Sequence, residues 1–593
     1  MLRRARRLVV VPGRLAESAW DRFVAWFNAL DLSENAVLLG FAVAVGTVGA
    51  LGVIAFYKLI DLAWLAFFAW PSRWLPPEAP YLARPILAAG AMVAAWWVMR
   101  RLAPGEEGMT VPDIQRRVVR AGGRVPPRPA VARTVASAIT IGGGGSVGAE
   151  GPVAVLGAAV GSNLARVFRF GKDRTTLLVA AGAAAAISAA FNAPLAGAFF
   201  ALEEIIGGLA VSAFPVVVVA SVVAAVISRA VFGNHPVFPL PEEYSYRHAA
   251  EVLAAYPLLG LAIGGLAALF IAIYFRLGRA EVSWRRAASG GVLVGLMVAA
   301  SGGALVGRGH LAIPLDTFAS LAWWVLALFA VGKIVATALS LGWGGSGGVF
   351  TPALYAGAAG GAAFGAGLAA LMPNAGIQPA AYALVGMGAM VAAATGAPIT
   401  GILIVFELTD DSAIMLPLMI ATAIAVVTAR RLSPDTLYSG WLRRRGITLE
   451  HGLDRDVLAG LTVADALDRD ATVVAADTPV ASLVEAHAWA DQTVFPVVDA
   501  QRRLLGILTA RTLGRAARDA TLAARSAEEL CEPTEAVTLE VNLREVVRRL
   551  GVLGLAALPV VDAPTGRVLG TIGRGGVLGR YGRTVEREEG LGK

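Results

Sequence analysis

The chain contains a single cysteine, five histidines and few charged residues. Cys531 alone allows no internal disulfide. The histidines, His235, His248, His310, His451 and His487, all fall outside the convincing apolar runs, so a buried general base is missing from most hydrolytic arrangements. Charged residues make up 16% of 593 positions against 56% hydrophobic, with mean hydropathy +0.65, which excludes an ordinary soluble globular protein. The charged start at 1–13 has too short an apolar stretch to serve as a cleaved signal.

Apolar runs are abundant. A bilayer core needs about 20 apolar residues per spanning helix, and residues 36–59, 84–99, 176–206, 210–232, 256–274 and 321–341 qualify. The 68 glycines, many inside these runs, supply small contact surfaces for close helix packing, so a multi-helix bundle is expected. The net charge of +8 gathers at Arg3, Arg4, Arg6 and Arg7 before the first span and at Arg443, Arg444 and Arg445 after the last. By the positive-inside bias both flanks are cytoplasmic, and these clusters are topology signals rather than a nucleic-acid surface.

Composition changes after Tyr438, which places a boundary near Gly446. Beyond it, FPVVD at 495–499 and LGILT at 505–509 recur as LPVVD at 558–562 and LGTI at 569–572. Each set predicts two short strands joined by a turn, with a helix upstream at 480–490 or 543–550, so two β-α-β-β units follow. The membrane part repeats too. GGGGSVGAEGP at 142–152 aligns with GWGGSGGVFTP at 342–352, and the match continues through Gly157/Gly357 and Gly161/Gly361. APLAG at 193–197 with Glu203 pairs with APITG at 397–401 with Glu407, and Gly182 with Gly386. Hydrophobic segments interrupted by Gly and Pro at matching places in two halves mark a transporter with its site at the repeat interface.

Irregular Gly-rich backbone cannot face lipid, so both loops must line a cavity or lie buried in protein. In each, Pro152 or Pro352 stands where an apolar helix begins, a position that needs no N–H. Each helix then aims free N–H groups and its positive dipole end at the cavity, forming an anion site without a full positive charge. An ionisable Glu150 inside such a segment is a functional candidate by default.

These residues resemble the CLC family of chloride channels and chloride/proton antiporters. GAEGP at 148–152 matches the family's GxEGP signature, GVFTP at 348–352 its GxFxP signature, and Gly332, Lys333 and Thr337 its GKxxxT signature. The resemblance covers about 38–438 and implies an all-α polytopic fold of inverted repeats with broken helices. It assigns the central anion to the N–H groups of Val349 and Phe350 and the Tyr438 hydroxyl, with Gly148 and Gly151 beside it. It makes Glu150 the external gate and Glu204 the internal proton glutamate, which favours proton-coupled antiport over a passive channel. Glu204 has no repeat partner, since Leu408 stands in its place. Glu203 and Glu407 do correspond and are expected to be structural, closing helix ends. The C-terminal repeats resemble a tandem pair of CBS domains, giving a small α/β region.

Two departures stand out. The family's GSGIP serine is replaced by Met109 in GMTVP at 108–112, and a thioether donates no hydrogen bond, leaving Thr110 as the nearby hydroxyl. Chloride is the expected anion, with fluoride or nitrate as alternatives. In the CBS pair, Thr512 and Gly576 stand where a ribose-binding Asp is common, which argues against an adenine nucleotide, so no cofactor or metal is expected. The pattern G-x-S-x-G at 144–148 and 344–348 raises an intramembrane serine hydrolase, but its occurrence at equivalent loop positions without a histidine partner favours loop geometry, and no enzyme is expected. The expected organisation is an N-terminal segment 1–35, a transport domain 36–440 with repeats 36–232 and 254–438, a linker 441–460, CBS domains 461–521 and 522–585, and a tail 586–593. Chloride, proton, lipid and a second copy in a homodimer are the expected partners, with a bacterial inner membrane as the location.

Overall fold

The computed structural model describes residues 34–74, 79–105, 109–208, 210–233, 251–278, 282–307, 318, 320–447, 458, 460–487 and 492–588. Expectations that fall elsewhere lie outside the described residues: the N-terminal arginines, Gly108, most of the linker, the tail beyond 588, and every histidine but His487. The chain divides into two units, 1–453 and 454–593.

In the first unit the helices are α1 (Glu34–Trp64), α2 (Ala79–Leu102), α3 (Val111–Ala121), α4 (Pro127–Gly142), α5 (Glu150–Val167), α6 (Lys172–Phe191), α7 (Pro194–Phe200) and α8 (Phe214–Phe232). They continue as α9 (Tyr256–Leu277), α10 (Trp284–Ala300), α11 (Trp323–Gly342), α12 (Phe350–Leu371), α13 (Pro379–Thr395), α14 (Pro398–Thr409), α15 (Met415–Leu432) and α16 (Ser439–Arg443). Among the described residues, seven helical stretches are long and apolar enough to cross a membrane. The expected run 176–206 is broken. Asn192 takes the left-handed conformation (φ 58°) and Pro194 lacks an N–H, so α6 stops at Phe191 and α7 starts afresh. Gly396 (φ 100°) and Pro398 break α13 from α14 at the equivalent place.

The repeats pack alike: α5 lies on α6 and α1 on α8, as α12 lies on α13 and α9 on α15. The glycines that matched in sequence are the crossing points. A Cβ on Gly157 would run into the Gly182 carbonyl, and one on Gly357 into that of Gly386, so neither pair admits even alanine without separating the helices.

In the second unit, β1 (Val474–Ala475), α17 (Val480–His487), β2 (Val494–Val498), β3 (Leu504–Thr509) and α18 (Ala510–Ala516) form one half. The other half comprises α19 (Leu543–Leu553), β4 (Ala557–Val561), β5 (Val568–Gly573) and α20 (Arg574–Glu588). β1 runs parallel to β2, and β2–β3 and β4–β5 are antiparallel hairpins with a register shift at equivalent points, Val497/Val498 and Val560/Val561. Segments cross the expected boundary at 521/522. Val463 donates to Val541, and Leu461 and Val463 join the core of the second half, while Ala527 donates to Thr478 and joins that of the first. Each half completes its apolar core with chain from beyond that boundary, because the two sheets alone leave one face bare.

Candidate functional site

The two signature loops meet face to face. Gly148 N donates to Gly348 O at 2.8 Å and Gly348 N to Gly148 O at 2.7 Å, an exchange between equivalent residues that defines a local two-fold relation. Supporting bonds obey the same relation. Ser146 N donates to Ser340 Oγ (3.1 Å) and Ser346 N to Thr140 Oγ1 (3.0 Å). Gly144 and Gly344 both turn the chain at positive φ, 88° and 113°, where a side chain would be strained. Ser146 and Ser346 thus serve loop geometry through their backbone N–H groups; the Ser346 hydroxyl bonds Ser137 Oγ at 2.8 Å, and the Ser146 hydroxyl is buried with no hydrogen-bond partner among the described residues.

From this junction α5 and α12 lead away with their N-termini converging. Both start two residues before the expected prolines, at Glu150 and Phe350, so Pro152 and Pro352 sit third in the first turn, where no intrahelical N–H bond exists. Glu150 is 3% exposed, and its carboxylate folds over the Gly148/Gly348 bridge to accept a bond from Thr351 N at 3.2 Å. The gate candidate therefore rests on the N-terminal turn of the other repeat's helix, where an anion would be favoured.

A cavity of about 510 Å3 opens beside the junction, lined among others by Thr110, Gly151, Val349 and Tyr438, which the sequence singled out. Met109 does not line it and is fully buried in the helical core. Thr110 reaches the cavity, but its hydroxyl bonds Asp113 Oδ2 at 3.1 Å while capping α3, and this restrains it from replacing a serine donor. The Phe350 ring is packed between Phe191 and Phe200 at centroid distances of 5.8 and 6.3 Å, which leaves its backbone at the start of α12 as its polar contribution. Tyr438 lies beyond the last long helix, α15. It follows a bend after α15 and precedes α16, where Leu437 N holds Ala394 O and Thr436 receives the Tyr438 N–H, so the ring is placed in the cavity wall.

Glu203 and Glu204 diverge from the π-helical turn 201–206 that ends α7. Glu203 accepts bonds from Ile399 N, Thr400 N and Thr400 Oγ1 at 2.9, 2.8 and 2.6 Å, so it caps α14. Glu407 accepts from Leu195 N and Ala196 N at 2.8 and 2.7 Å and caps α7. Each repeat closes a helix end of the other. Glu204 turns inward, is 4% exposed, and is held by Gln115, while Tyr438 lies within electrostatic reach of both Glu204 and Glu150.

Sequence reading gave no role to three groups. Arg133, 7% exposed, donates to Gly347 O at 2.7 Å and faces the cavity with Arg444 and Arg445. An arginine in the middle of a largely uncharged helix, past Arg128 in its first turn, was the available signal. Together these arginines put positive charge in the cavity wall, an arrangement that favours an anion there. Lys333 is 2% exposed, donates to Leu305 O and Val306 O at 3.1 Å each, and stands over the Tyr355 ring, tying the 301–307 segment to the first-repeat loop through Gly307 N–Gly145 O. Gln115 offered no sequence signal.

A polytopic membrane bundle of two repeats related by a two-fold, with broken helices meeting at a cavity, defines the class of inverted-repeat transport proteins. The chain belongs to the voltage-gated chloride channel family, whose model matches residues 90–430. A ClcB-like protein of Ralstonia nicotianae is 35% identical over 428 residues, 69% of this chain and 97% of that protein. The H(+)/Cl(-) exchange transporter ClcA of Vibrio parahaemolyticus is 32% identical over 394 residues, 63% of this chain and 83% of its own. The solved structure of a slow cyanobacterial Cl-/H+ antiporter superposes with TM-score 0.60 at 25% identity, covering 69% of this chain and 97% of its own. By these names the relatives are a chloride channel protein, a proton/chloride exchange transporter and a chloride/proton antiporter.

Proposed function

We propose that the protein exchanges chloride for protons across a membrane, with Glu150 as the gate and Glu204 as the inner proton carrier. One observation carries this reading: the Glu150 carboxylate occupies the N-terminal turn of α12, the place where a permeating anion would bind. An ionised Glu150 competes with chloride for those N–H groups, and protonation removes the charge that holds it there. Movement of anion and movement of proton are thereby linked at one carboxylate. The anion is received by the N–H groups of Val349 and Phe350 and the Tyr438 hydroxyl, with Gly148 and Gly151 giving close backbone approach, and it gathers in the arginine-lined cavity. Met109 and Thr110 supply no free hydroxyl, so backbone donors and Tyr438 carry the affinity.

The second unit is read as a tandem CBS pair, with domains near 461–521 and 522–585 that exchange short segments. Thr512 and Gly576 occupy the third position of α18 and α20, and the Thr512 hydroxyl is engaged with Thr509 Oγ1 at 3.0 Å, so a packing or gating role suits the pair better than nucleotide binding. Two copies form the working unit in a bacterial inner membrane, with both termini cytoplasmic.

The test is flux from purified protein in liposomes with internal pH recorded, comparing chloride, nitrate and fluoride. A chloride gradient is expected to drive protons uphill in wild type and not in Glu150→Gln. Chloride flux without proton movement in wild type would leave a channel, and a strong fluoride preference would make fluoride the substrate.

A further inference from the structure

Gln115 lies on α3, and its residue is 2% exposed. Its amide Nε2 donates twice to one residue, to the Glu204 backbone carbonyl at 2.6 Å and to Glu204 Oε2 at 3.0 Å. A backbone carbonyl only accepts, so the amide has one permitted orientation, with both N–H groups turned to Glu204. The carbonyl is available because Glu204 stands near the end of the π-helical turn, where C=O groups lose their helical donors. Gln115 thus completes the helix end and clamps the carboxylate together. The other end of the amide, Oε1, is buried and has no hydrogen-bond partner among the described residues. A residue serving packing alone would be better as leucine or methionine of similar size, since a half-satisfied buried amide is unfavourable. What the side chain does accomplish is confined to Glu204.

We infer that Gln115 is a positioning residue for proton transfer, holding the Glu204 carboxylate in one place while it gains and loses its proton. The inference rests on Glu204 being the inner proton carrier. An amide N–H donates to a carboxylate oxygen and equally to the carbonyl oxygen of a carboxylic acid, so the clamp survives both states. With one lone pair of Oε2 held by Gln115, that oxygen is favoured as the carbonyl oxygen of the acid, and the proton bonds to a lone pair on Oε1 and leaves from the same atom. Gln115 itself neither takes nor gives a proton. The other ionisable groups near Glu204 are Glu203, turned onto α14, and Tyr438; on α3, Asp113 is engaged with Thr110, Arg116 and Arg445.

The experiment uses the full chain in liposomes, measuring chloride flux and proton flux separately for Gln115→Leu, Gln115→Glu, Glu204→Gln and Gln115→Leu/Glu204→Gln. Gln115→Leu is expected to lower protons moved per chloride several-fold, with chloride flux within about twofold of wild type. Gln115→Glu places two carboxylates on one proton and should move the half-maximal pH of proton transport upward by about one unit or more. The double variant should match Glu204→Gln. Wild-type coupling in Gln115→Leu together with a wild-type pH profile in Gln115→Glu would overturn the inference while leaving Glu204 in its role. Intact proton transport in Glu204→Gln would overturn both. If Gln115→Leu does not assemble, the isosteric Gln115→Glu profile decides alone.

Discussion

Removing the carboxylates that cap each other's repeat tests the two-fold junction in energetic terms. Glu203 receives three hydrogen bonds at the start of α14, and Glu407 receives two at the start of α7. Bonds to a charged acceptor contribute about 1.5–3 kcal/mol each when dry, and partial exposure reduces this to about 1 kcal/mol. Glu203→Ala is therefore expected to lose about 3 kcal/mol and Glu407→Ala about 2 kcal/mol. Glu203→Gln keeps an acceptor but loses the charge and should fall between wild type and alanine. Because α7 and α14 pack against each other, freeing one end loosens the contact at the other. The double variant should fall short of the sum by about 0.5–1 kcal/mol. Unfolding by SDS titration in detergent, followed through tryptophan fluorescence, reads all four variants. A Glu203→Ala stability within about 0.5 kcal/mol of wild type, below the usual cost of losing a cap, would refute the reasoning and make the observed caps incidental.

Gly157→Ala places a methyl against the backbone of Gly182 and should destabilise by about 2 kcal/mol or more, whereas Gly90→Ala, with open space at its Cβ, should be neutral or slightly stabilising in the same titration. Arg133→Gln frees the Gly347 carbonyl beside the cavity and is expected to weaken chloride binding about tenfold, measured by calorimetry; an unchanged Kd would remove Arg133 from the site. In the second unit, bonds from Arg548 and Arg549 hold Glu545 down to about 2. Its folded-state value is lowered, so its stabilisation is complete above the ordinary value of about 4.3 and is lost as pH falls through about 2. Thermal midpoints of wild type and Glu545→Gln should therefore differ at neutral pH and converge in acid.

The sequence by itself determined the membrane class, the two repeats and the pairing of equivalent residues. Apolar length reports bilayer crossing directly, and Gly and Pro mark places where backbone conformation or contact admits little else. It also indicated that Glu203 and Glu407 act at helix ends, because each recurs in both halves. Only the tertiary structure decided which ends they close. A cap across repeats depends on how two distant segments meet, and nothing local encodes that. The same holds for the bridge between Gly148 and Gly348, for Tyr438 standing beyond the last long helix, and for the short segments exchanged between the halves of the second unit. Gln115 is the clearest case: an ordinary polar residue on a short helix, 89 positions from Glu204, gains its meaning when folding places its amide against that carboxylate.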